Sequence, residues 1–145
     1  MLKKFLIAIL CFWLSSIALA NEVKPIHNIY LERTSLTKQE VYWIYSLRTR
    51  FWSDGTKIVV YYMDFDHPIH KAFVSEVLKT SPNSFRNSVE TYVNAGNASY
   101  FRKTNSENEM YHRVSSTIGA VGYISTKTLL INDGDNRVKE IRIVD

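Results

Sequence analysis

The sequence predicts one α/β sandwich domain, in which segments typical of β-strands are separated by segments typical of helices. Residues 57–63 are rich in β-branched and aromatic side chains, which favours a buried strand. Apolar residues then recur at helical spacing, at Ile69, Phe73 and Val77. Hydrophobic residues make up 46% of the chain and charged residues 22%, a balance typical of a globular domain.

Upstream of this buried strand, the sequence predicts a strand, a helix and a turn. Residues 26–31 alternate between apolar and polar side chains, as a strand with one solvated face does. Thr37 and Glu40 have the spacing of a capping box, which marks the start of a helix. The apolar residues that follow lie on one helical face: Val41, Ile44 and Tyr45. Residues 53–55 read Ser-Asp-Gly and predict a tight turn, because Asp-Gly readily adopts positive φ.

Two more helices are predicted downstream of the buried strand. Asp66 is the expected cap of the first, with Pro68 in its first turn. Ser81 precedes a second proline and starts the next helix, which Gly96 ends. Asn97 follows in a polar loop, where we expect substitution by alanine to be mild.

The last third of the chain predicts a helix followed by two strands. Ser106 precedes an acidic first turn and begins a helix that runs to about Ser116. Glycines at 119 and 122 indicate a tight passage into a strand that continues to Ile124. Residues 138–144 alternate in polarity and predict one last strand.

The amino terminus has the features of a cleavable secretory signal. Lys3 and Lys4 form a basic start, an apolar run covers residues 5–14, and residues 18–20 read Ala-Leu-Ala. This pattern predicts a signal peptide at 1–20, cleavage after Ala20 and a periplasmic mature domain at 21–145. The alternative is a membrane anchor, but the apolar run is short compared with the roughly 20 residues that a span needs. We therefore expect no membrane span after cleavage.

Composition excludes several classes of function for the mature domain. Cys11 is the only cysteine and lies in the signal, so disulfides, thiol chemistry and cysteine-ligated metals are not expected. The formal net charge of +4 falls to +2 without Lys3 and Lys4, which is too mild to suggest nucleic acid. No Gly-x-Ser-x-Gly, P-loop or His-Glu-x-x-His motif occurs. We expect neither an enzyme nor a bound cofactor.

Three stretches resemble the phosphate-binding branch of the type II periplasmic binding proteins, the solute receptors of bacterial ABC importers. Residues 35–41 with the Trp-Ser-Asp-Gly at 52–55 resemble its helix, its Trp-x-Asp-Gly segment and the following strand. Residues 73–78 resemble its next helix. Residues 109–114 with Gly-Ala-Val-Gly-Tyr-Ile at 119–124 resemble its helix and Gly-Ala-Ile-Gly-Tyr-Val strand. The resemblance implies a three-layer sandwich, a binding role, and phosphate or another small oxyanion as the ligand.

The chain departs from this family in two ways. Full receptors enclose the ligand between two lobes, whereas the mature chain is long enough for one. The family holds the anion in a loop that reads roughly Arg-Ser-Asp-Gly-Ser-Gly-Thr. The aligned residues 63–69 read Met-Asp-Phe-Asp-His-Pro-Ile, which replaces the arginine, glycines and hydroxyls with two carboxylates and a proline.

The candidate ligand-binding residues are therefore Asp64, Asp66, His67 and His70. The histidines have a spacing that can share a metal, but no set of three or four converging ligands is evident, and helix-capping or surface roles are favoured. A protonated His67 would offset the two carboxylates. Two functions remain open: a solute-binding accessory for phosphate or another oxyanion, and a lobe that contacts an envelope protein or a second copy of itself.

Overall fold

The computed structural model describes residues 22–33 and 35–145; the predicted signal and its cleavage site lie outside them. The strands, in chain order, are β1 (Val23–Asn28), β2 (Ser35–Thr37), β3 (Val59–Tyr62), β4 (Phe101–Lys103), β5 (Ala120–Ser125), β6 (Val138–Glu140) and β7 (Arg142–Val144). Five of them form a mixed sheet in the order β4-β3-β5-β1-β6. Strands β3, β4 and β5 are parallel, and β1 is antiparallel to both β5 and β6. Strands β2 and β7 form a separate parallel pair.

Helices connect these strands. They are α1 (Lys38–Tyr45), α2 (Pro68–Ala72), α3 (Pro82–Tyr92), α4 (Glu107–Ser116) and α5 (Thr126–Ile131). Helix α2 continues as a π-helical turn at Phe73–Val77, and α3 continues as another at Val93–Asn97. A 3₁₀ turn at Ala98–Tyr100 then leads into β4. No helix in the described part of the chain has the length and apolar character that a membrane crossing requires.

Helices cover both faces of the sheet, as two neighbouring residues of β5 demonstrate. A side chain at Gly122 would meet Met110 and Val114 of α4. The next residue, Tyr123, faces the other way and stacks on Phe73, which follows α2. The predicted three-layer α/β sandwich is therefore confirmed, with a buried sheet between two helical layers.

Local signals in the sequence set several helix ends as predicted. Thr37 and Glu40 form a complete capping box at the start of α1. Ser81 caps α3 with Pro82 in the first turn, and Ser106 caps α4. Because caps satisfy amide groups that a helix leaves without partners, these few residues fix where the helices begin.

Three predictions on the elements were wrong. Strand β1 does not have the predicted solvated face: His27 and Asn28 are both buried. Asn28 lies against α4, where its side-chain amide donates to the carbonyl oxygens of Val114 and Ser115, and His27 points to the opposite, equally covered face of the sheet. Residues 138–144 form two strands in different sheets, because Ile141 is buried between them and its amide donates to Pro25. The cap of α2 is His67 rather than Asp66.

Candidate functional site

The four predicted site residues lie in one segment, residues 63–70, which follows β3 and begins α2. This segment lies at the carboxyl ends of the parallel strands β3 and β5. In α/β sheets that end of the strands is where ligands usually bind. The segment is referred to below as the β3–α2 loop.

The two carboxylates of the loop are exposed, and one of them shapes the backbone. Asp64 Oδ1 accepts a hydrogen bond from the Asp66 amide at 2.9 Å, and the Asp64 carbonyl accepts one from His67. The Asp66 amide lowers the pKa of Asp64, with a further contribution from Lys103, whose Nζ lies 3.9 Å away. Asp64 therefore holds a turn and carries negative charge at the loop surface.

His67 is occupied as a helix cap. Its Nδ1 accepts the amide hydrogen of Ile69 at 3.1 Å. Pro68 takes the first helical position, where its missing N–H leaves no bond unmade. Because Nδ1 accepts this hydrogen bond, it carries no hydrogen of its own when His67 caps the helix. The structure thus favours the capping role over a protonated partner for Asp64 and Asp66.

His70 is fully buried, whereas His67 is partly exposed. The Nδ1 of His70 lies 2.6 Å from the Tyr123 hydroxyl, which also accepts the Met63 amide at 2.9 Å. Burial raises the pKa of Tyr123, so the phenol keeps its proton. With the Met63 amide donating to it, the phenol donates in turn to His70 Nδ1, which places the imidazole proton on Nε2.

Burial lowers the pKa of His70 to about 4; the Asp64 carboxylate opposes that effect and His67 reinforces it. Nε2 has no hydrogen-bond partner among the described residues. Four aromatic rings surround the imidazole, with centroids 5.0–6.5 Å away: Tyr62, Phe65, Phe85 and Tyr123. A neutral histidine in an aromatic cage is therefore the stable state near neutral pH.

Tyrosines tie this cage to the sheet. The Tyr62 hydroxyl donates to the Tyr45 carbonyl, and the Tyr45 hydroxyl donates to the Gly122 carbonyl. The sequence did not identify these residues as part of the site. The available signal was the unusual number of tyrosines, nine in the chain, but their spacing gives no indication that they meet.

Four of the seven backbone amides in the loop already have acceptors within the protein. The amides of Met63, Asp66, His67 and Ile69 all donate within the protein, and Pro68 has none. Helix α2 has five residues before its π-helical turn, so its dipole adds little. The loop also lacks the ligands for a metal ion, since residues 22–33 and 35–145 contain no group of three metal-ligating side chains close enough to hold one.

A groove of about 630 Å³ lies elsewhere, at the start of β1 and beside β6 and β7. None of the residues that line it belongs to the β3–α2 loop. Its basic side chains include Lys24, which pairs with Glu22 and Glu140, and Lys38, which pairs with Asp145. The groove therefore does not extend the predicted site.

Comparison by sequence finds no relative: no protein-family model matches the chain, and no curated protein matches it. Comparison by structure does. A putative phosphate ABC transporter substrate-binding protein with bound phosphate from Clostridium perfringens is similar, with a TM-score of 0.63 and 15% identity. An ABC-type phosphate transport receptor from Vibrio cholerae gives 0.61 and 21%, and PstS from Borrelia burgdorferi gives 0.64 and 12%.

These matches cover 85% of this chain but 45%, 46% and 47% of the three solved chains, in the same order. The chain thus spans about half the length of the proteins that it resembles. The predicted resemblance is confirmed at the level of fold: this is the architecture of one lobe of a type II periplasmic binding protein. The neighbours are binding proteins rather than enzymes, although the likeness is distant.

Proposed function

We propose that this chain is an exported single-lobe domain that acts by contact with another protein of the cell envelope, and not by capturing a free anion. The observation that supports this most directly is the state of the β3–α2 loop. Four of its seven amides donate to Asp64, His67 and Tyr123 within the protein, and exposed carboxylates occupy its surface.

Energetics support the same conclusion. A charge-assisted hydrogen bond to an anion contributes about 1.5–3 kcal/mol, so the absence of three of them removes several powers of ten in affinity. A single lobe also leaves an anion half in water, where each remaining charge contact is weak. Asp64 and Asp66 would repel it further. Tight phosphate binding by a monomer is therefore not expected.

The test is calorimetric titration of phosphate into the mature chain, with the oligomeric state measured by light scattering. We expect no binding at micromolar phosphate. Micromolar or tighter binding by a monomer would overturn the proposal. An Asp64→Asn, Asp66→Asn variant is a useful companion, because it shows whether carboxylate repulsion alone suppresses binding.

A second candidate is a solute-binding accessory for phosphate or a similar oxyanion. It is favoured by one observation, the similarity to a solved structure that contains bound phosphate. One lobe lacks the second wall of the site, which a homodimer would supply. Tight phosphate binding confined to a dimer, and lost in His67→Ala or Asp66→Ala, would support this function and place the site at the loop.

Both functions need export, which the sequence predicts by its signal at 1–20. We propose a periplasmic mature domain that begins at Asn21. Intact-mass measurement of protein from fractionated cells tests this. A mass that matches cleavage after Ala20, in the periplasmic fraction, is expected; a cytoplasmic protein that retains Met1 would contradict it.

A further inference from the structure

We propose that the amino ends of the parallel strands carry the contact surface, and that it receives an acidic segment of a partner protein. The surface consists of Arg50, Phe51, Lys57, Tyr100 and Arg102, and is called the Tyr100 patch. This inference rests on the proposed function, since it names the region and the chemistry of the protein contact. It concerns the end of the sheet opposite the β3–α2 loop.

Three cations converge on this patch. Arg50 and Lys57 both lie over the Tyr100 ring, with the guanidinium carbon 6.0 Å and the ammonium nitrogen 4.6 Å from its centroid. Arg102 donates to the carbonyl oxygens of Ala98 and Phe101, on either side of the segment that contains Tyr100. All three cationic side chains belong to exposed residues.

Hydrogen bonds from a buried residue hold Arg50 in this position. Arg50 Nη1 donates to Asn97 Oδ1 at 2.7 Å, and the Asn97 amide donates to the Tyr92 carbonyl at 2.9 Å. Asn97 is only 8% exposed, so it holds the Arg50 guanidinium from the buried side of the patch. Gly96 adopts a φ of 99°, which lets the π-helical turn present Asn97 in this position.

None of the three cations has a carboxylate within ion-pair distance among the described residues, whereas Lys24, Arg86, Arg137 and others do. Asp54, the acidic residue nearest to Lys57 in sequence, uses Oδ1 to accept the Thr56 amide. Like charges held near one aromatic ring repel one another, and a docked carboxylate would relieve that repulsion.

Apolar groups at the patch indicate a protein partner. Phe51 packs edge-on against Tyr100 with centroids 6.0 Å apart, yet it remains 52% exposed. Ile118 is exposed close by, since the Trp52 indole donates to the carbonyl of the adjacent Gly119. Aromatic residues and arginine beside exposed apolar side chains are the composition of protein contact sites.

Two other partners fit less well. Each basic residue near an anionic membrane contributes about 1 kcal/mol, so three cations would hold the protein only weakly. Pairing of an added strand with β4 is also disfavoured, because β4 has three residues and the Arg102 guanidinium already bonds the Phe101 carbonyl. The patch therefore fits side-chain recognition of carboxylates rather than a lipid surface or strand addition.

The experiment uses the mature chain and a short peptide in which glutamate alternates with leucine. Amide chemical shifts are followed by NMR during titration, with the glutamine version of the peptide as control. We expect saturable shifts confined to residues 50–57, 97–102 and 118–119. The double variant Arg50→Ser, Lys57→Ser should weaken binding at least tenfold. The matched variant Lys127→Ser, Lys139→Ser, which removes two exposed cations elsewhere, should change it less than twofold.

Absence of saturable shifts at millimolar peptide would overturn the proposal. So would shifts that map to the β3–α2 loop, or equal loss of binding in both double variants, which would indicate a general charge effect. Binding of phosphatidylglycerol vesicles in preference to the peptide would replace the protein partner with a membrane. Failure of the proposed function can be distinguished from failure of this inference. Phosphate binding would change the amide chemical shifts of residues 63–70 and leave those of the Tyr100 patch unchanged.

Discussion

At the carboxyl ends of β3 and β5, polar groups bond to one another: the Met63 amide, the Tyr123 hydroxyl and His70 form a hydrogen-bonded chain among aromatic rings. At the amino ends of the same strands, Arg50 and Lys57 lie over Tyr100 with no carboxylate partner in the described part of the chain. The comparison teaches that at the carboxyl ends most polar groups bond within the protein, with His70 Nε2 the exception among the described residues. Capacity for a new contact lies at the other end.

Strand β5 joins the two ends, and a side chain added at its middle should give the largest effect. In Gly122→Val the new Cβ would lie 2.5 Å from Met110 Sδ and 3.0 Å from Val114 Cγ2, where α4 packs on the sheet. We expect a loss of about 3 kcal/mol in the free energy of unfolding. Denaturant titration measures it, with Gly134→Val, which has open space around it, as the control. Equal midpoints would contradict the close approach of α4.

Acidification should weaken the carboxyl end in particular. The folded protein lowers the pKa of His70 from 6.5 to about 4, so the unfolded chain binds the proton more readily. The contribution of His70 to the free energy of unfolding is therefore fully present above pH 6.5. It decreases by about 3 kcal/mol as the pH falls to 4. Burial also lowers the pKa of His27, which acts in the same direction.

Unfolding free energies measured between pH 7 and 4 test this effect. His70→Gln should lower the stability at pH 7 and flatten the pH profile, whereas His112→Gln, at an exposed position, should leave the profile unchanged. Parallel profiles for His70→Gln and the unsubstituted protein would show that His70 is not the group responsible.

Tyr123→Phe should remove the central group of the hydrogen-bonded chain formed by Met63, Tyr123 and His70. The Met63 amide and His70 Nδ1 would both lose their partner inside the protein, at a cost of about 2 kcal/mol. Tyr111→Phe is the matched control, since its hydroxyl makes one part-buried bond, to the Asn132 carbonyl. A thermal melt that ranks the two variants equally would mean that the Met63–Tyr123–His70 chain contributes no more than this single part-buried bond.

The smallest effect is expected at the amino end. Asn97→Ala removes the bonds to Arg50 and to the Tyr92 carbonyl, and we expect a loss of about 1 kcal/mol. The sequence predicted a mild effect because Asn97 reads as part of a polar loop. Its burial raises the expected loss of unfolding free energy. Asn94→Ala, at an exposed position in the same turn, is the control. Indistinguishable denaturant midpoints would leave the Arg50 position without the support proposed for it.

Features decided by neighbouring residues were predictable from the sequence. The capping box of Thr37 and Glu40 is one, because both partners lie within one helical turn. The fold followed from the alternation of strands and helices and from the resemblance in residues 119–124. Asp66 failed as a cap because the sequence pattern does not distinguish it from His67, whose ring nitrogen reaches the Ile69 amide.

Features decided by distant residues were not predictable in this way. His27 reads as part of the solvated face of a strand, and only the helices packed on both faces of the sheet explain why it and its neighbour Asn28 are buried. The Tyr123–His70 bond joins residues 53 positions apart. Likewise, the Tyr100 patch assembles side chains from three separate segments, so no motif of local spacing indicates it.

The hydrogen bond from Trp52 to Gly119 has a consequence for spectroscopy. After the expected loss of the signal, Trp43 and Trp52 are the tryptophans of the chain. Trp43 is 38% exposed, whereas the Trp52 indole is fixed 3.0 Å from the Gly119 carbonyl at the amino end of β5. The Trp52 part of the emission therefore reports on that end of the sheet. A rearrangement limited to the cage around His70 would leave this part of the emission unchanged and would appear instead in the near-ultraviolet circular dichroism of the tyrosines.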